Sequence, residues 1–138
     1  MEGGQIRVPR SLCMEVTFPE DPRILEIFSG LPPMFEIERR NGIVTVYCPI
    51  GYEFRRDFHG FKVREFYRVY KALQVKGGRK IWKHDSIILD PKKTKRVLIA
   101  IAPGELYLLK AAAALAGEGL SDYIRTAAFT RMARELGL

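Results

Sequence analysis

The sequence predicts an α+β chain in two parts, an α/β sandwich over residues 1–91 and a strand-helix-helix module over residues 92–138. Three observations lead there. The first part runs through strand-like and helix-like periodicities in the order β-α-β-β-α-β. The stretch Asp90-Pro91-Lys92-Lys93-Thr94-Lys95 sets a proline beside a run of lysines, as linkers do. Beyond it the chain turns rich in Ala and Leu at helical spacing.

Leu12 to Phe18 alternates weakly and reads as a strand. Asp21-Pro22 then starts a helix, with Asp as N-cap and Pro at the first helical position. Ile24, Leu25, Ile27 and Phe28 supply its apolar stripe, and Gly30 with Pro32-Pro33 stops it. Phe35 to Cys48 is the clearest hairpin. Asn41-Gly42 suits a type I′ turn, whose two central positions both need positive φ, and strand formers Ile43 to Tyr47 follow. Gly51 to Gly60 reads as a loop. Phe61 to Lys76 reads as a helix, with Val63, Phe66, Tyr67, Tyr70 and Leu73 near one face and Gly77-Gly78 ending it. Lys80 to Leu89 is expected as the last strand. This order is that of a ferredoxin-like sandwich.

In the second part, Arg96 to Ala102 is a short strand candidate with Val97, Ile99 and Ile101 on one face. Pro103-Gly104-Glu105 opens a helix, with Glu near the positive end of the dipole. Leu106, Leu109, Ala113 and Ala116 form its stripe. Gly117-Glu118-Gly119 breaks it, and Ser121 is the expected N-cap of a second helix. Tyr123, Ile124, Ala127, Ala128, Met132 and Leu136 are the buried face expected there. One strand and two short helices cannot satisfy the strand's own edges. A two-fold dimer pairs the strands and closes four helices over them.

Residues 95–136 resemble the ribbon-helix-helix family of repressors and antitoxins. The likeness rests on Arg96-Val97-Leu98-Ile99-Ala100-Ile101, on Glu105 to Lys110, and on Leu120-Ser121-Asp122-Tyr123-Ile124-Arg125-Thr126-Ala127. It implies a homodimeric transcriptional regulator that lays a two-stranded ribbon in the major groove of duplex DNA. Arg96, Leu98 and Ala100 would then face base edges. Ser121 and Asp122, at a helix N-terminus, would sit against a phosphate. Lys92, Lys93 and Lys95 would add sequence-independent phosphate contacts. The chain departs from the family in carrying apolar Leu98 and Ala100 on the reading face, where they can touch a thymine methyl but form no bidentate hydrogen bond. Specificity is then poor, or comes from shape readout or from the other domain, or else the module serves only to dimerise the chain.

The charge fits a polyanionic partner: +7 formal charge and a pI near 9.6, with more than half of the excess from Lys92 onward. The segment from Tyr52 to Arg64 interleaves aromatic and basic residues. Arg55, Arg56, Phe58, Lys62 and Arg64 are therefore a candidate second surface for RNA, single-stranded DNA or a protein partner. The bland alternative makes those aromatics core and the charges a solvated rim. His59 and His84 lack metal-ligand spacing, and Cys13 and Cys48 match no metal signature, so no metal or cofactor is expected. Glu53, Asp57, Asp85 and Asp90 show no pairing that would suggest an enzyme, and no phosphate-binding glycine loop is present. With no signal core and no apolar run long enough to span a bilayer, a soluble, cytoplasmic protein without membrane contact is expected. The Arg, Glu and Ile content hints at a thermophile.

Overall fold

The computed structural model describes residues 6–54, 62–84 and 86–137. It is a mixed α+β structure with antiparallel sheets and, among the described residues, four α-helices. The chain divides into two compact units, 1–93 and 94–138.

A single 3-10 turn (Arg10–Leu12) precedes β1 (Met14–Pro19) in the first unit. Helix α1 (Pro22–Ile27) begins where its residues dictate: Pro22 holds the first position and the Asp21 carboxylate accepts from the Arg23 N–H at 2.9 Å. The hairpin β2 (Glu36–Arg40) and β3 (Ile43–Cys48) turns at Asn41 and Gly42, whose φ values of 51° and 75° are those a type I′ turn requires. Then come β4 (Tyr52–Phe54), α2 (Val63–Ala72), β5 (Gln74–Lys76), β6 (Gly78–Lys83) and β7 (Ser86–Pro91).

The strands form two sheets, β2-β3-β1-β5 and β4-β7-β6, and every pair is antiparallel. The β-α-β units expected of a ferredoxin-like sandwich require parallel pairs joined by a crossover. Here β1 lies between β3 and β5, antiparallel to both, so that arrangement does not form among the described residues. Two local features account for the difference. The segment expected as one strand, Lys80 to Leu89, is a hairpin that reverses between Lys83 and Ser86. His84 sits there at φ 53°, a left-handed conformation that His adopts more readily than most residues. The helix expected to reach Lys76 ends at Ala72, and Gln74 to Lys76 joins β1 instead.

Strands β5 and β6 are separated only by Gly77, so one run of chain passes from the first sheet to the second. The crossing is tight. A Cβ on Gly78 would collide with Met14 Sδ and with the Asp90 carbonyl oxygen, which is why glycine stands there. The core lies between the sheets. Met14, Val16 and Phe18 of β1 and Val44, Val46 and Cys48 of β3 alternate inward, as period-two burial demands. Phe18 stacks on Phe28 at 4.9 Å, and Phe28 meets Phe54 edge-on at 4.5 Å. That chain of rings links the first sheet, the end of α1 and the second sheet. Phe66 and Val69 of α2 and its C-cap Leu73 are buried, whereas Val63 and Tyr67, expected on the same face, are exposed.

The second unit contains α3 (Pro103–Leu115) and α4 (Leu120–Leu136). Pro103 starts α3 as expected of a proline with no N–H to lose, and Glu105 reaches back so that its Oε1 accepts from the Ala102 N–H at 2.7 Å. The N-cap of α4 is Gly119, not Ser121, which is already the second residue of the helix. No strand forms over 96–102 within the single chain, and Val97, Leu98, Ile99 and Ile101 are all exposed. Of the helical stripes, only Ala113 is buried; Ile124 and Leu136 stay exposed, and Leu106, Leu109, Tyr123 and Met132 are half-buried. No helix among the described residues is long and apolar enough to cross a membrane.

Candidate nucleic-acid interface

The residues expected to meet DNA lie on the segment 92–102 and at the start of α4. Arg96, Leu98 and Ala100 are exposed, with Leu98 wholly so. Lys92 and Lys95 are exposed too. Lys93 is engaged already: its ammonium donates to Asp90 Oδ1 at 2.5 Å, while Arg79 Nε donates to the other oxygen of the same carboxylate at 3.1 Å. Burial alone would push the Asp90 carboxyl up, but the hydrogen bonds from Lys93 and Arg79 outweigh it and hold the pKa below the usual carboxylate range. At the α4 N-terminus, Ser121 and Asp122 are exposed, and Asp122 Oδ1 accepts from Arg125 at 2.6 Å. That pair partly neutralises a carboxylate that would otherwise repel an anion from the helix end.

Of the second expected surface, Arg55, Arg56 and Phe58 lie outside the described residues, as do Asp57, His59 and Asp85. Lys62, the N-cap of α2, and Arg64 are exposed. Phe54, in the same aromatic-basic run, is buried against Phe28 and Tyr52, so that part of the run is core.

Sequence reasoning named Arg64 but missed Tyr67, Arg68 and Lys71, which extend this surface from it. Arg64, Tyr67, Arg68 and Lys71 follow the i, i+3, i+4, i+7 rule and are all exposed along one face of α2. The spacing is visible in the sequence, but the apolar stripe of the same helix masks it by claiming Tyr67 for the core. Beside that face stands Trp82 of β6, ringed by Phe66 at 4.6 Å, Tyr70 at 5.5 Å and Tyr67 at 5.7 Å. Its indole N–H donates to the His84 carbonyl at 2.7 Å, which holds the ring in place. Lys80 is spent on structure, donating to the Tyr70 and Leu73 carbonyls at the C-terminal end of α2, both at 2.8 Å. Its pKa is lowered, first by burial and then by the charge of Lys71.

Cys13 and Cys48 are free thiols. Burial pushes Cys48 up to about 12 and raises Cys13 as well, so neither is an activated thiolate. No group of three His, Cys, Asp or Glu side chains among the described residues suits a metal ion. Against family models, curated proteins and solved structures alike, the chain has no significant match.

Proposed function

We propose that the chain is a homodimeric, non-enzymatic DNA-binding regulator of the ribbon-helix-helix type, acting through its C-terminal unit. One observation carries the reading. In the second unit a single small side chain, Ala113, is buried among the described residues, while Val97 is 83% and Leu115 91% exposed. A unit this short with so much apolar surface open needs another molecule to complete its core. A second copy is the economical partner, because a lone extended segment has no ladder until its symmetry mate supplies one. Burying Val97, Ile99 and Ile101 under the helices contributes about 1.5–3 kcal/mol for each side chain fully covered, and the dyad counts each twice.

In that dimer, Arg96, Leu98 and Ala100 face outward into the major groove. Lys92 and Lys95, with the start of α4 at Ser121 and Asp122, hold the DNA backbone; Lys93 contributes less while paired to Asp90. The test is duplex binding by the full chain across a salt series. Replacing Arg96 by Ala removes two cations from the dimer and lowers the salt slope by about 1.8 if each meets one phosphate. An unchanged slope denies Arg96 a direct role, and no duplex binding by the native chain removes the reading.

The apolar Leu98 and Ala100 favour one second reading, in which the C-terminal unit only dimerises the chain and the N-terminal unit holds the ligand. Duplex and single-stranded oligonucleotides in competition separate the two.

A further inference from the structure

The outward face of α2 is the most strongly basic helix face described in the N-terminal unit. Arg64, Arg68 and Lys71 lie along it, and no carboxylate among the described residues stands within ion-pair distance of any of them. The helix's one acid, Glu65, is turned to Arg23 at 2.7 Å. The opposite face is committed to the core through Phe66, Val69 and Leu73. The cations therefore form a ridge with no counter-charge among the described residues.

One flank of that ridge is aromatic. Tyr67 is 50% exposed and Val63, one turn earlier, 76% exposed. The Lys71 ammonium lies 5.5 Å from the centre of the Tyr67 ring, so charge and ring share one patch. Trp82 adjoins Tyr67, its rings tilted by 38°, and is clamped by Phe66, Tyr70 and the hydrogen bond to His84. A ring held this firmly loses little freedom when something packs beside it.

We propose that this face of α2, with Tyr67 and Trp82 at its flank, binds single-stranded nucleic acid: Arg64, Arg68 and Lys71 meet phosphates, and the open Tyr67 ring stacks on an unpaired base. A basic track beside a fixed aromatic platform is what an unpaired strand requires, because every base offers a π-face and every linkage a charge. A duplex keeps its base faces covered and would leave Tyr67 without a purpose. An acidic membrane surface needs an apolar helix face to insert, and α2 has already buried its own. The proposal does not depend on whether the C-terminal unit engages duplex DNA.

Trp82 is the chain's one tryptophan, so its fluorescence reports on this face alone. The full-length protein is titrated with oligo-dT and oligo-U of about a dozen nucleotides, a site size within the usual range for such grooves. A duplex of equal length and vesicles of an acidic phospholipid are the other arms. Saturable quenching by either single strand is expected, and the stronger of the two tells DNA from RNA. Arg64→Gln, Arg68→Gln and Lys71→Gln together should weaken that binding at least tenfold and lower the salt slope by about 2, near 0.7 for each phosphate no longer neutralised. Tyr67→Ala should weaken it about fivefold or more with the slope unchanged. All four side chains are exposed, so the variants keep the fold, which a melting curve verifies. The proposal is overturned if neither single strand quenches Trp82, if the triple variant binds as the native chain does, or if duplex or vesicles quench as well as the single strands do. Duplex binding, followed by the anisotropy of labelled DNA, is a separate signal, so either activity can fail without hiding the other.

Discussion

The two units of this chain solve the problem of apolar surface differently. The N-terminal unit buries Phe18, Phe28, Phe54, Leu73, Ile87 and Leu89 almost completely. The C-terminal unit leaves Val97, Leu98, Ile99, Tyr107, Leu108 and Leu115 in the open. Both hold ample apolar residues, so composition does not separate them. What separates them is geometry. Two sheets and two helices share the core of the first unit, whereas the second holds two helices and an extended segment that forms no strand among the described residues. On the proposed reading, a folded single chain is a sufficient unit of stability for the first and an insufficient one for the second.

The largest effect that could break this contrast comes from charging the open face. Val97→Lys with Ile99→Lys should cost the single chain nothing, since both side chains are exposed there. In a dimer the pair would bury four unpaired ammoniums. Several kcal/mol for each makes association at least a thousandfold weaker. Sedimentation equilibrium should show the native chain at twice the molar mass of one chain and the variant at that of one. A native chain that is already monomeric, or a variant that still dimerises, ends the contrast.

The next effect belongs to the first unit. Phe54 is 1% exposed and packs edge-on against Phe28 and Tyr52, joining the second sheet to α1. Phe54→Ala should cost about 3–5 kcal/mol, the range for removing a buried aromatic ring. Urea unfolding followed by Trp82 fluorescence reports this unit directly. The molar mass should stay that of the native chain. If Phe54→Ala changes it, the two units share a fate and the comparison needs redrawing.

Much of the first unit was legible in the sequence, and the particulars say why. Asp21-Pro22 and Asn41-Gly42 announced their structures because each needs a backbone conformation that few other residue pairs supply. The turn at His84 was silent because the left-handed residue described there is neither Gly nor Asn, the usual markers of such a turn. The short β5 was hidden for another reason. Leu73 continues the apolar spacing of α2, so the helical pattern runs on to the glycines, while pairing with β1 claims Gln74 to Lys76. Tertiary pairing overrode local propensity there. Of the candidate surfaces, the basic segment around Arg96 was plain in composition. The α2 face was not, because Tyr67 and Trp82 lie fifteen positions apart and only the fold brings their rings together.

The smallest effect lies at Asp90, where structure and proposed function compete for one lysine. Its folded pKa is depressed, so the ion pairs with Lys93 and Arg79 add stability at neutral pH. That increment is present above the unfolded carboxyl value near 3.9 and is lost as pH falls through the folded one. Both cationic side chains are largely open to solvent, at 47% and 73%, so screening keeps the gain below about 1 kcal/mol. Asp90→Asn should therefore lower stability slightly at pH 7 and not at all near pH 2, as paired melts at the two pH values would show. The same substitution releases Lys93. If Lys93 meets phosphate, as proposed for the segment beginning at Lys92, duplex affinity should rise and the salt slope steepen by up to about 1.8 for the dimer even as the protein loses stability. A loss of stability with no change in slope would assign Lys93 to the fold alone and leave Lys95 and Arg96 as the cations that face DNA.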